Sequence, residues 1–388
     1  MSLLASKDPI IIIGSGLAGY NVAREFRKLN SDTALVIIAD DAADFYSKPM
    51  LSNALAKSKT AQDLPIADVK KMADDLNAKI LNHTRVEKIE PENHVIYTNK
   101  NESLKYSQLV LALGAAATIL SVAGNASDKI YSVNDLKSYA AFRDAIRDKK
   151  KIAIIGAGLI GCEFANDLIL SDYEVSVIGS AHQPLNRLLP EQAANYLKEA
   201  LANTGINWHL GDKPKQVNFN NSVFNINLES GTCLEVDVVL SAIGLRPNIK
   251  IAQEAGIEVN KAIVVNQSLQ TNCKDIFALG DCAEVAGLFL PFVMPLMNAA
   301  RALAKSLDGE LTEVTYPAMP VLVKTPSCSV VAVVPATKVK GEWQVKQDED
   351  GIDARFVDQD NRLQGFALVG KAVEAKAALM QELPVVLA

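Results

Sequence analysis

Six glycines stand where they could hold phosphate. Gly14, Gly16 and Gly19 lie in IIIIGSGLAG, and Gly156, Gly158 and Gly161 lie in KIAIIGAGLIG, at the same spacing about 140 residues later. In such a turn the first glycine permits a tight bend and the second lets backbone approach a pyrophosphate. The third lets the following helix pack closely on the strand, so that its unpaired N-terminal amides face the phosphate. One such motif is weak evidence; two, each after a buried-strand run and before a helical pattern, meet the context that dinucleotide binding requires. Leu17, Ala18, Leu159 and Ile160, which open the two helices, count among the candidate cofactor-binding positions.

Charged residues fall at related points. Asp40 follows the apolar run Ala34–Ala39, some 20 residues past Gly19, where a carboxylate would hold a ribose hydroxyl pair; Asp41 is its neighbour, and a plain turn aspartate is the alternative reading. Lys48, in DFYSKPMLS, precedes Pro49 and is biased towards extended or turn geometry. A loop lysine is usually only solvated, but beside a cofactor ring its ammonium could bias that ring electrostatically. Asp281 stands at the exit of the apolar strand IFALGD. Lys324 sits in an apolar strand among valines, where a lysine either snorkels outward or serves something buried. In the second unit the place of the ribose acid, eighteen residues past Gly161, is taken by Gly179 and followed by Ser180, with His182 and Arg187 the nearest cations. The residues therefore leave the choice between NADH and NADPH open.

A chain of 388 residues suggests two or three domains. The balance of 39 basic against 45 acidic residues, net −6, argues against nucleic acid as a partner. No window reaches the roughly 18 apolar residues of a spanning helix, and MSLLASKDP runs into a strand rather than an apolar leader, so a soluble cytoplasmic protein is expected, with no membrane insertion. Cys162, Cys233, Cys273, Cys282 and Cys328 show neither redox-pair nor zinc spacing and read as free thiols of a reducing compartment.

The elements that must position these groups follow in order. A helix is expected over Tyr20–Leu29, a helical stretch over Asn53–Lys57, short strands over Ala78–Tyr97, and a buried strand from Tyr106 that ends in small residues at Gly114. A helix follows over Asp135–Lys150, then an antiparallel strand group over Asn207–Glu235, a buried strand ending at Gly244, and a helix beginning near Met294 and Pro295. From about Ala318 the composition changes to a small α+β module with a closing helix, KAVEAKAALMQEL.

The order GSGLAG, ALGA, GAGLIGCEFA, AIGLRPN and TNCKDIFALGDCAE resembles the FAD-dependent pyridine nucleotide oxidoreductases with two dinucleotide-binding domains, over most of the chain. The likeness implies an α/β fold of two Rossmann-like domains, glutathione-reductase-like, plus the C-terminal α+β domain. FAD would take 1–115 and 245–317, NAD 116–244, and the last domain 318–388. Gly14, Gly16, Gly19, Asp40, Val86, Gly114, Gly280 and Asp281 would then contact FAD, and Gly156, Gly158, Gly161, Glu163 and Gly244 would frame the NAD(H) site. The helix near Met294 would aim its N-terminus at the flavin edge that gains charge on reduction.

The loop YSKPMLS, the strand LVKTP and the small last module are similar to those of the reductases of rubredoxin, flavorubredoxin and oxygenase ferredoxins. That likeness would make Lys48, towards flavin N5, and Lys324, towards N1 and O2, the catalytic pair. It implies a monomer passing electrons from NADH to rubredoxin in support of alkane hydroxylation. Disulfide reductases of this architecture need a cysteine pair beside the flavin, and oxidase relatives need one cysteine where this chain has Phe45, Tyr46, Ser47 and Lys48. Neither is present, so an external one-electron carrier is the expected acceptor. A reductase serving flavorubredoxin or an oxygenase ferredoxin, and a flavin-based NADH sensor, are the alternatives.

Overall fold

Ile10–Ile13 is buried at every position, as expected of a strand covered on both faces at the centre of a sheet. In the computed structural model, which describes residues 8–388, it is the middle of five parallel strands; the leading MSLLASK, read above as preceding this strand, lies outside the described residues. The sheet runs Ile276–Ala278, Gln108–Leu111, Ile10–Ile13, Leu35–Ile38, Lys79–Leu81, with Ile10 in register with both Leu35 and Gln108. Helix Leu17–Arg27 covers it, burying Tyr20, Val22, Ala23 and Phe26.

The second unit repeats this plan. Asn207–Leu210, Glu174–Gly179, Lys151–Ile155 and Val238–Ser241 form a parallel sheet, covered by helix Leu159–Ile169. Each unit also carries a three-stranded antiparallel meander before its next parallel strand: Val86–Glu90, Val95–Thr98 and Ser103–Lys105 in the first, Pro214–Asn220, Val223–Leu228 and Cys233–Val236 in the second. The chain passes between the units on Ala115–Ala117 and returns on Leu245–Pro247, which pair antiparallel. The last module is a five-stranded antiparallel sheet followed by Lys371–Ala375 and helix Lys376–Glu382. The expected class, two Rossmann-like units and a small α+β module, is the one observed.

Several expected elements are corrected. Asn207–Leu210 is not part of an antiparallel group but the edge of the parallel sheet, with Trp208 opposite Val177; four alternating residues read alike in either setting, and the preceding helix Glu191–Ala202 makes the parallel crossover. The helical stretch at Asn53–Lys57 lies earlier, as one 3-10 helix over Lys48–Asn53 with Pro49 in its first turn. The first helix begins at Leu17 rather than Tyr20, because Gly19 sits inside it and not before it. The strand carrying Lys324 stops at Val323, since the Lys324 amide donates to a carboxylate instead of a neighbouring strand. Helix Val69–Leu76, capped by Asp68, was not anticipated.

The segment after Lys48 packs across the units, and at the other end of the chain Leu387 packs against the first unit's core. Leu51, Ala54 and Leu64 bury in the core shared by the second nucleotide unit and the C-terminal sheet, together with Val177, Val330 and Val369. Asp237 fixes the start of the central strand of that unit by accepting from the Lys150 and Lys151 amides at 3.0 and 2.8 Å. Burial alone would push its carboxyl up, but these two bonds and the charges of Lys149 and Lys151 hold it below the ordinary value. A depressed carboxyl stabilises the fold above its unfolded pKa and loses that contribution as pH falls. Asp237→Asn is therefore expected to cost roughly 1 kcal/mol at neutral pH in urea unfolding, with the difference from the parent closing as pH drops below about 4.

Candidate functional site

The two glycine turns have one geometry. Gly14 has φ +114°, and a Cβ there would lie 2.2 Å from Ala112 O; Gly156 has φ +120°, with Ala242 O at 2.3 Å. A Cβ on Gly19 would meet Gly14 O at 1.9 Å, and one on Gly161 would meet Gly156 O at the same distance. These four are required by the chain itself. Gly16 and Gly158 differ: both are exposed and have no neighbouring atom within 4 Å of a built Cβ. Each is the N-cap of its helix, in extended conformation and with no side-chain cap bond. The amides that open the helices, from Leu17 and Ala18 and from Leu159 and Ile160, thus face open space, as a dinucleotide pyrophosphate requires.

Around the first turn the candidate residues converge. Gly280, at φ +76°, approaches Ala18 so closely that a Cβ would sit 3.0 Å from the alanine methyl, and this brings Asp281 beside the glycine turn. Burial pushes the Asp281 carboxyl up, and the positive charge of Lys48, within electrostatic reach, opposes that shift. Lys48 is half-buried and, among the described residues, takes part in no hydrogen bond or ion pair. Asp40 is exposed at the end of strand Leu35–Ile38, while Asp41 is engaged with the turn, accepting from Ala43 N at 2.9 Å and Ser15 Oγ at 3.4 Å. Thr84 N donates to Ala39 O at 2.7 Å, and the buried Val86 two residues on opens the antiparallel meander, opposite Thr98. Gly114, at φ +64°, follows strand Gln108–Leu111, and its carbonyl accepts from Asn248 N. Helix Val293–Leu307 packs on the first glycine helix and opens with Phe292, Val293 and Met294 exposed and no side-chain cap.

At the second turn, Gly244, at φ +110°, lies open beside the crossing strands. Gly179 is buried, and a Cβ there would fall 2.8 Å from the Ala157 methyl and 2.9 Å from Leu210 Cδ2. Sterics therefore exclude a carboxylate from the position where sequence spacing would put the ribose acid. His182 and Arg187 are exposed nearby.

Glu163 and Lys324 meet directly. The Glu163 side chain is 1% exposed and lies 2.5 Å from Lys324 Nζ; it also accepts from Lys324 N at 2.9 Å and Ser52 Oγ at 2.5 Å. Lys324 is thus neutralised within the protein, while Lys48 is not. Sequence reasoning missed Ser52 and two further buried polar residues, Asn166 and Asp167. Asn166 bonds Ser327, and Asp167 bonds the amides of Leu55 and Ala56. The signal was available, because Glu163, Asn166 and Asp167 stand at i, i+3 and i+4 of an otherwise apolar helix and so share a face. The five cysteines are free thiols, and burial pushes Cys162 up to about 12 and Cys282 up to about 11, which makes both inert as relays at neutral pH.

Comparison with known proteins accords with this geometry. Residues 8–304 match the family model for pyridine nucleotide-disulphide oxidoreductases, and residues 313–383 match a rubredoxin binding C-terminal domain. The chain is 46% identical over 380 residues to a rubredoxin-NAD(+) reductase of Alcanivorax borkumensis, covering 98% of this chain and 99% of that one. It is 47% identical over 369 residues to a rubredoxin-NAD(+) reductase of Acinetobacter baylyi, covering 93% and 94%. Among solved structures, the ferredoxin reductase for the CYP199A2 system from Rhodopseudomonas palustris is similar with a TM-score of 0.88 at 25% identity, over 97% of this chain and 96% of that one.

The contrast within each glycine trio is testable. Gly161→Ala should destabilise the protein by about 2 to 4 kcal/mol, since the methyl must displace backbone, whereas Gly158→Ala should leave the melting temperature nearly unchanged and weaken nucleotide binding. Thermal unfolding and nucleotide titration of the two variants check the pair; equal melting temperatures would contradict it.

Proposed function

The chain belongs to the pyridine nucleotide-disulphide oxidoreductase family, and on that footing we propose that it is an FAD-dependent enzyme carrying electrons from NADH to rubredoxin. The observation that carries this reading is that two relatives named for this reaction align over nearly the whole chain, rubredoxin-binding module included. Bound FAD supplies the conversion between a two-electron donor and a one-electron acceptor.

The chain's own groups bind, orient and bias. Gly16 and the amides of Leu17 and Ala18 would receive the FAD pyrophosphate, Asp40 its adenosine ribose, and Asp281 its ribityl portion, with Val86, Gly114 and Gly280 lining the site. Gly158, Leu159 and Ile160 would do the same for NAD(H), beside Gly244. Lys48, in no ion pair among the described residues and within electrostatic reach of Asp281, would favour added negative charge at the site. The open N-terminus at Val293 and Met294 acts in the same sense over a shorter range. The charge of Lys324 is matched by Glu163, so its part is placement more than field.

The finer points of the proposal are a division into an FAD domain over 1–115 and 245–317, an NAD domain over 116–244 and a module over 318–388, a monomeric state, a cytoplasmic setting, and use of the reduced rubredoxin for alkane hydroxylation. No helix of the described residues is long and apolar enough to cross a membrane.

Anaerobic stopped-flow measurements test the reading. NADH should bleach the flavin completely, and reduced enzyme should be reoxidised by rubredoxin at least about tenfold faster than by flavorubredoxin or an oxygenase ferredoxin. Preference for either of the latter would reassign the acceptor, and slow partial bleaching would favour a sensor. Lys48→Ala should slow flavin reduction by about tenfold or more and lower the flavin potential; an unchanged rate and potential would remove Lys48 from the mechanism.

A further inference from the structure

Lys48 has no side-chain partner to locate it, so its position comes from the backbone that carries it. That backbone is a 3-10 helix, Lys48–Asn53, followed by a turn in which Ser58 N donates to Leu55 O and Lys59 N to Ala54 O. The segment belongs by sequence to the first nucleotide unit, yet Leu51 and Ala54 bury in the core of the second. Two carboxylates on one face of helix Leu159–Ile169 grip it. Glu163 takes the Ser52 hydroxyl, but shares itself with the amide and ammonium of Lys324. Asp167, 3% exposed and four positions further along, just over one turn, accepts from Leu55 N through Oδ2 and from Ala56 N through Oδ1, both at 2.9 Å.

The Asp167 arrangement is a clamp with a single object. Both oxygens are spent on consecutive amides of the loop, 111 and 112 residues away in sequence. The further contacts on the segment lie beyond it: Tyr139 Oη and Arg143 Nη1 both donate to Lys59 O, at 3.1 and 2.7 Å. A carboxylate this deep carries a large desolvation cost, which two short bonds to backbone amides offset when the amides are held fixed. Fixing those amides, which follow Asn53 closely, also holds the end of a 3-10 helix of about two turns whose other end is Lys48.

We infer that Asp167 is a positioning residue for the redox reaction: by clamping the Leu55 and Ala56 amides to the nucleotide-unit helix, it sets where the Lys48 ammonium stands in the flavin site. This rests on the assignment of Lys48 to the flavin made above. It adds to that assignment a residue in the last turn of helix Leu159–Ile169, at the far end from the second glycine turn.

The test uses the FAD-loaded enzyme in four forms: parent, Asp167→Asn, Lys48→Ala, and the double variant. Asp167→Asn keeps the side-chain shape but turns an NH2 group towards one of the two amides. Hydrogen exchange at Leu55 and Ala56 should quicken by about tenfold, as expected for loss of one charge-assisted bond. NADH-driven flavin reduction should slow by about threefold to tenfold with the Kd for NADH unchanged, and the flavin potential should fall in the same direction as in Lys48→Ala. In the Lys48→Ala background the same change should slow reduction no further, because a residue acting through Lys48 has nothing left to place. Ala56→Pro, which deletes one donor from the exposed side of the clamp, should reproduce the slower reduction if Asp167→Asn proves too unstable to load with FAD. Unchanged exchange, faster exchange with parent-like reduction and potential, or rate losses that multiply in the double variant would each overturn the inference. A Lys48→Ala enzyme with parent-like rate and potential would instead sink the Lys48 assignment, and that outcome is distinct from the others.

Discussion

A carboxylate taken out of water must find donors, and in helix Leu159–Ile169 two of them do so only outside their own unit. Glu163 and Asp167, with Asn166 between them, lie on a helix whose remaining central residues are apolar and buried. Their partners are Ser52, Leu55 and Ala56 from the first unit and Lys324 and Ser327 from the last module. Neither the loop nor the module can leave the helix without stranding buried charge, at a cost of several kcal/mol. That constraint fixes the relation of all three parts, and the shared core of Leu51, Val177 and Val330 fills the space around it.

The electrostatics of the site follow from the same arrangement. Of the two lysines that resemblance sets beside the flavin, one is paired with Glu163 at 2.5 Å, while the other lies within electrostatic reach of Asp281 and is in no ion pair among the described residues. Two residues of one type therefore stand in different electrostatic settings. The glycines divide in a parallel way. Gly14, Gly19, Gly156 and Gly161 are there because backbone stands where a methyl would go, while Gly16 and Gly158 look onto nothing and leave room for a ligand.

Much of this was legible in the sequence, for physical reasons. Part of the glycine spacing encodes local sterics, Gly19 against Gly14 and Gly161 against Gly156, so both turns could be read, along with the buried strands before them and the helices after. Asp281 and Lys48 could be named from their surroundings in the chain. Long-range partners could not. Nothing local tells Glu163 that its bond lies 161 residues away at Lys324, or that Lys324 ends its strand because its amide is already taken. Gly179 looked like a missing acid, and only the packing of Ala157 and Leu210 around it shows that a side chain has no room there. Asn207–Leu210 was misjudged because four alternating residues carry no information about strand direction. The polar face of the 159–169 helix, with its plain i, i+3, i+4 spacing, and the Asp68-capped helix Val69–Leu76 both carry local signals that a sequence can show.

The paired strands Ala115–Ala117 and Leu245–Pro247 have a bearing on how such a molecule can arise. With Leu245 opposite Ala117 and Pro247 opposite Ala115, the chain leaves its first sheet and comes back to it side by side, about one strand spacing apart. An intervening stretch whose two ends are neighbours adds bulk without parting the strands of its host. Here the inserted stretch repeats the plan of the host, a parallel sheet with a glycine turn and an antiparallel meander, so duplication of one gene segment into itself would yield this topology in a single event. The narrow double-stranded neck would then be the scar of that event, and the ledge of carboxylates on the 159–169 helix would be a later fastening that turned two copies into one working body.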